Sequence, residues 1–327
     1  MRRRDFIILF AGSTGRWTSV VRAQQTTMPV IGILGAVSAE VMGVQLNLAA
    51  FREGLRETGF VEGQNVVIEY RWAELRLDRL PALAGELVAR KVDAIVAAGG
   101  TALAAKNATS TIPIVFAVGT DPVADGLVAS LNRPGGNLTG ISTFNLKLMP
   151  KRLELLSELL PQAKVLALLA EPNIQITEPM TRDVQEAART KGVQLQILQA
   201  SSESEIDAAF ATLVQLQVGG LLVAPPPSFS IQRERIFALA SRVSVPMMSD
   251  TRAYVEAGGL ISYGPRLAGM WRQVGIYVGK IIKGTKPDDL PVQQPTTFEL
   301  VINLKTANAL GLNVPSSILT RADEVID

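Results

Sequence analysis

Short apolar runs alternate with segments of helical periodicity along most of this chain, and the series is laid down twice, which restricts the fold to parallel sheets covered by helices. Val30-Ile31-Gly32-Ile33-Leu34 is a nearly continuous apolar run, and Val44, Leu48, Phe51 and Leu55 then recur at helical spacing from about Ala39 until Gly59. The pattern continues with Val66 to Trp72, a helix bearing Leu80, Leu83 and Leu87, then Ala94 to Ala98, a helix opening at Thr101, and Ile114 to Ala117. Strands that are apolar along their length and separated by helices pair in parallel and are buried from both sides.

After the turn Pro134-Gly135-Gly136-Asn137 and a strand at Leu138 to Thr143, the series restarts with a leucine-rich helix around Leu153 to Leu160. Strands are predicted at Val165 to Ala170, Val193 to Leu198, Gly220 to Ala224, Val245 to Met248 and Leu260 to Tyr263. Ile206, Phe210 and Leu213, and then Ile236 and Leu239, mark helices between them. A helix over Leu267 to Ile282, a turn at Gly284 to Pro291, a strand at Phe298 to Ile302 and a short helix ending at Gly311 complete the series. The predicted fold class is α/β, with two doubly wound parallel-sheet lobes. Residues 29–144 with about 265–290 are assigned to the first lobe and 145–264 to the second, with 291–327 a candidate addition to the second.

The segment before the first strand reads as an export address of the twin-arginine kind, residues 1–23. Paired arginines in Met1-Arg2-Arg3-Arg4-Asp5, an apolar run from Phe6 to Phe10 and a small residue at Ala23 supply its parts. That address predicts a periplasmic protein. Five arginines and one aspartate give the segment +4, so the rest of the chain carries −2 against an overall +2. A mildly acidic chain without a Lys/Arg run has no electrostatic footprint for nucleic acid. The sequence holds no Cys and no His, which removes disulfides, thiol nucleophiles, Ser-His-Asp triads and the usual zinc ligands. No metal and no cofactor are expected. No apolar stretch of about 18 residues predicts a membrane span beyond the leader.

In open α/β sheets ligands bind beyond the carboxyl ends of the strands. The loop Gly99-Gly100-Thr101 offers close backbone approach and a hydroxyl that either caps the following helix or meets a ligand. Gly119-Thr120-Asp121-Pro122 places a carboxylate before a helix-starting proline, again as cap or contact. The later loops hold Asn173, Pro225-Pro226-Pro227, Asp250 and Ser262-Tyr263-Gly264, while Asp125, Glu256 and the many Lys/Arg read as solvated charges. Dinucleotide, phosphate-loop and nucleophile-elbow motifs are missing.

Several blocks carry a resemblance. Phe51-Arg52-Glu53-Gly54-Leu55, Gly59-Phe60-Val61-Glu62-Gly63-Gln64-Asn65, Thr120-Asp121-Pro122-Val123, Arg133-Pro134-Gly135-Gly136-Asn137-Leu138-Thr139-Gly140, Tyr254-Val255-Glu256-Ala257-Gly258-Gly259-Leu260 and Ala322-Asp323-Glu324-Val325-Ile326 stand in order along the chain. They resemble the ABC-transporter substrate-binding proteins of the tryptophan/tyrosine-type group. The resemblance implies a type I periplasmic-binding fold, a small-molecule ligand such as an amino acid held between the lobes, an ABC permease as partner, and a monomer. By resemblance the ligand-binding positions are Ser38, Gly100, Thr101, Thr120, Asp121, Asn145, Asn173, Asp250 and Tyr263. Thr101 and Thr120 would serve a ligand carboxylate, and Asp121 or Asp250 an ammonium. Aromatic residues make up 5%, and those near the cleft loops are Phe116, Phe144, Phe229 and Tyr263, so the ligand stays broad. Two other functions remain open: an enzyme using Asp121, Asp250 or a lysine as acid–base group, and a ligand-sensing effector domain, which would need a helix-turn-helix that the leader does not supply.

Overall fold

The computed structural model describes residues 28–40, 42–172, 174 and 177–327; the export address and Asn173 lie outside the described residues. Among the described residues there are two sheets. The first contains β1 (Val30–Gly35), β2 (Val67–Trp72), β3 (Ala94–Ala98), β4 (Ile114–Val118) and β5 (Leu138–Ser142) in the order β2-β1-β3-β4-β5, every pair parallel. The second contains β6 (Val165–Ala170), β7 (Gln194–Gln199), β8 (Gly220–Val223), β9 (Met247–Ser249), β10 (Ile261–Pro265), β11 (Phe298–Asn303) and β12 (Glu324–Ile326). Its order is β12-β11-β10-β9-β8-β6-β7, with β10 and β11 antiparallel.

The helices of the first half are α1 (Met42–Glu57), α2 (Leu80–Ala89) and α3 (Ala102–Ala108). Then follow α4 (Met149–Leu159), α5 (Thr177–Lys191), α6 (Glu203–Gln215), α7 (Pro227–Ile231), α8 (Arg233–Arg242), α9 (Arg252–Glu256) and α10 (Leu267–Ile282), with α11 (Leu304–Ala309) and α12 (Ser316–Leu319) near the end. Strand alternation sorts the first core into two halves. Val96, Val115 and Ala117 point toward Phe51 and Leu55 of α1 and Val274 and Val278 of α10. Ile95, Ala97, Phe116 and Val118 point the other way, onto Leu83 and Leu87 of α2 and Ala105 of α3. The second sheet divides in the same manner, with Leu166, Leu168 and Leu222 packed beside α4 and α5, and Leu169, Leu221 and Val223 beside α6 and α8. This is the period of two that buries both faces of a parallel strand.

Three crossings join the sheets. The first is Thr143-Phe144-Asn145 after β5, where Phe144 takes a left-handed conformation (φ 47°, ψ 33°) that a non-glycine residue adopts at a cost of about 1 kcal/mol or more. The second runs from β10 into α10, which packs against α1. The third returns beside β5, where Gln293 N donates to Gly140 O at 3.0 Å and Ser142 N to Gln293 O at 2.9 Å. Two local expectations change. Pro122 starts a hydrogen-bonded turn closed by Leu127 N to Pro122 O (2.8 Å) instead of a helix. Thr101 does not cap α3 with its side chain, because the fully buried hydroxyl sits 3.0 Å from Leu34 O and 3.1 Å from Ala98 O and ties β1 to β3.

Candidate functional site

The carboxyl ends of the strands of both sheets converge on a cavity of about 710 Å³, within the range of roughly 300–1,000 Å³ usual for small-molecule sites. From the first sheet it is walled by Gly35, Val37, Trp72 and Gly99, and by the opening turns of α1 and α10 through Val44, Leu267 and Trp271. From the second come Pro225, Pro227, Arg233, Thr251, Arg252 and Tyr254. Trp72 reaches this wall because Gly35 has no side chain: a Cβ there would stand 2.2 Å from the indole ring. Tyr254 is 4% exposed, its hydroxyl donates to Phe229 O at 2.9 Å, and burial pushes the phenol's pKa up. Three aromatic rings thus face the cavity at Trp72, Tyr254 and Trp271, none of them among the four aromatics the loops suggested.

The charges are unevenly matched. Arg252 grips Glu324 with both terminal nitrogens and binds Glu256 at 2.5 Å, and these two carboxylates hold its pKa up. Arg266 pairs with Glu299 at 3.1 Å. All five of these residues line the cavity, so Glu256 is part of its wall while half of its side chain stays open to solvent. Asp125, read from sequence in the same way, accepts the Thr120 hydroxyl.

None of the eight described positions expected from sequence is itself a lining residue of this cavity. Ser38, Gly100 and Asp250 each adjoin a lining residue, respectively Val37, Gly99 and Thr251. Ser38 donates to Glu40 at 3.2 Å, and Gly100 (φ 82°) uses the left-handed freedom of glycine to turn β3 into α3. Asp121 accepts from Val123 N (3.1 Å), Ala124 N (3.4 Å) and Lys147 Nζ (3.0 Å). Its carboxyl is held below the usual carboxylate range, chiefly by Lys147 and then by the two backbone groups. Asn145, Asp250 and Tyr263 come together at the first crossing. There Asn145 Nδ2 donates to Asp250 Oδ2 at 2.7 Å, and Tyr263 O accepts from Arg152 Nε at 2.7 Å.

Arg152 organises that cluster and sequence reasoning missed it. The residue is fully buried, donates to the carbonyl of Asn145 at 3.1 Å and bonds the Asn145 side-chain oxygen. Burial pushes its pKa down to about 10, which still leaves it a cation at neutral pH. A signal existed: Met149, Arg152, Leu153 and Leu156 share the i, i+3, i+4, i+7 face of one helix, so the arginine had to enter the core with the leucines.

Two α/β lobes, cross-linked by three passages and enclosing a cavity at their strand ends, define a solute-binding receptor of the type I periplasmic-binding class. The chain belongs to the ABC transporter substrate binding protein family, whose model matches residues 31–326. It is 28% identical over 265 residues to a tyrosine-binding protein of Clostridioides difficile (strain R20291), covering 80% of this chain and 75% of that one. A domain from Streptococcus pneumoniae solved in complex with L-Trp superposes with a TM-score of 0.82 at 27% identity, covering 92% of this chain and all of the other. A ligand-free, open substrate-binding protein from Clostridium difficile gives 0.66 at 25% identity, covering 91% and 99%. Among the described residues no helix is long and apolar enough to cross a membrane.

Proposed function

We propose that this receptor binds an amino acid or amino-acid-like solute in the interlobe cavity and delivers it, unaltered, to an ABC permease from the periplasm. The observation that carries the reading is the interlobe cavity with aromatic walls from both lobes, Trp72 and Trp271 on one side and Tyr254 on the other. Flat apolar walls suit a planar side chain and stack on it at little entropic cost. The relatives that bind tyrosine and tryptophan point the same way, and the greater likeness to the L-Trp complex than to the open protein favours a lobe arrangement near the closed one.

The moving units in this reading are 29–144 with about 265–293, since Val292 and Gln293 stay with the first sheet, and 145–264 with about 298–327. A solute touching both favours closure by the difference in its affinity for the two states. Ser38, Gly100, Thr120 and Asp121 are then the first lobe's candidate contacts, Thr101 holds β1 to β3 behind them, and Asn173 is a candidate from the second lobe's sequence. Asn145, Asp250 and Tyr263 support the floor at the crossing. Export through residues 1–23 and action as a monomer complete the proposal.

A thermal-shift screen of the twenty amino acids, sugars and organic acids tests it. A ligand at 100 times its dissociation constant adds about 2.7 kcal/mol to stability, so L-tyrosine, L-tryptophan or a close relative is expected to raise the melting temperature by several degrees. A response confined to sugars, or turnover of the bound compound, would refute the reading.

A further inference from the structure

The cavity's wall carries three arginines and three glutamates, but their pairing is lopsided. Arg252 alone serves Glu256 and Glu324, and Arg266 serves Glu299. Arg233, at the start of α8 after the Pro225-Pro226-Pro227 loop, lines the same cavity half-buried and meets no carboxylate or hydrogen-bond acceptor among the described residues. The wall therefore presents one unmatched positive charge at Arg233, and at Arg252 two carboxylates sharing one cation. That pattern complements a molecule bearing an anion and a cation at once.

We propose that Arg233 is the carboxylate-recognising residue of the solute site, with the solute's ammonium received by the Glu256 and Glu324 side of Arg252. The proposal rests on the cavity being the solute site. A guanidinium offers a planar fork that matches a carboxylate, whereas a lysine would give a point charge. Asp121 is less suited to the ammonium because its carboxylate already accepts three donors, while Glu256 and Glu324 keep about half and two-fifths of their side-chain surface open.

The test compares L-tyrosine and L-tryptophan with tyramine and tryptamine, which lack only the carboxylate, by calorimetry on the parent, Arg233→Gln, Arg233→Lys and Glu256→Gln proteins. The parent is expected to bind each amino acid about 10- to 100-fold tighter than its amine, the scale of one charge-assisted contact. Arg233→Gln should erase that preference while leaving amine affinity unchanged, Arg233→Lys should restore part of it, and Glu256→Gln should weaken amino acid and amine alike. Unchanged amino-acid affinity in Arg233→Gln, or an equal loss for amino acid and amine, overturns the assignment alone. Failure of the parent to bind any of the four compounds overturns the amino-acid reading and this assignment with it.

Discussion

Replacing Gly275 by alanine should destabilise the first lobe, although alanine is the better helix former. The α1 and α10 helices meet through glycines: a Cβ at Gly275 would lie 2.1 Å from Phe51 O and 2.8 Å from Leu55 N, and one at Gly54 would lie 1.8 Å from Arg272 O. Real Cβ contacts essentially never fall under 3.0 Å, so the helices must part by about 0.9 Å, enough to forfeit roughly a quarter to a half of the dispersion energy across the contact. The atoms met are backbone and no rotamer relieves them, which places the cost at the upper end of overpacking, about 3 kcal/mol. Helix propensity returns about 1 kcal/mol, for a net loss of about 2 kcal/mol. Gly85→Ala, in α2 with nothing within 4 Å of its Cβ, should instead gain up to about 1 kcal/mol. Urea unfolding followed by tryptophan fluorescence reads this layer directly, since Trp72 ends β2 and Trp271 lies in α10. Equal or greater stability in Gly275→Ala than in the parent would show that the helices are not in backbone contact. Because the first turns of both helices wall the cavity, the same variant should also bind solute more weakly.

Arg152→Met is expected to cost about 3–5 kcal/mol by denaturant midpoint, because it strands the carbonyls of Asn145 and Tyr263 and removes a buried cation that interacts with Asp250. Asp121 titrates below its ordinary value of 3.8 in the folded chain. Its pairing therefore adds stability above that pH and loses it as the pH falls through the lower folded value. Asp121→Asn should consequently be less stable than the parent near neutrality, with the gap narrowing as the pH falls below the ordinary value of 3.8; a gap that does not narrow in acid would refute the linkage. Trp72→Ala should reduce the solute-induced thermal shift and leave the circular dichroism spectrum unchanged.

The central strands were legible because they are apolar runs buried on both faces, as in β3, β4 and β8, and the predicted helix over Leu267 to Ile282 matches α10 end to end. Alternation alone suggested only parallel pairing, yet β11 runs antiparallel to β10. The reason lies in the path. The chain leaves β10 at the cleft edge, packs α10 on the first lobe and returns to that same edge, so β11 must start where β10 ended. The three-residue β12 carries too little pattern to mark a strand, and α7 hides behind prolines that read as loop. The cavity's aromatics escaped notice for a different cause. Trp72 ends a strand, and Trp271 and Tyr254 look like ordinary apolar positions of their helices; only the way the lobes face each other turns them toward one space.

The polar groups at the two sides of the interlobe region differ in what they have left to offer. Around the first crossing, Asn145, Asp250 and the fully buried Arg152 are bonded to one another or to backbone, so in a water-poor setting their satisfaction fixes geometry and leaves little free binding capacity. Around the cavity, apolar rings supply shape and Arg233 supplies a charge without a counterpart among the described residues. Rigidity near the hinge and unmet demand in the cavity are what a receptor needs if solute, and not its own side chains, is to decide when the lobes close. The Arg233 and Arg152 variants separate those roles: the first should change which solute is held while the fold keeps its stability, and the second should lower stability while the ratio of amino-acid to amine affinity stays as in the parent.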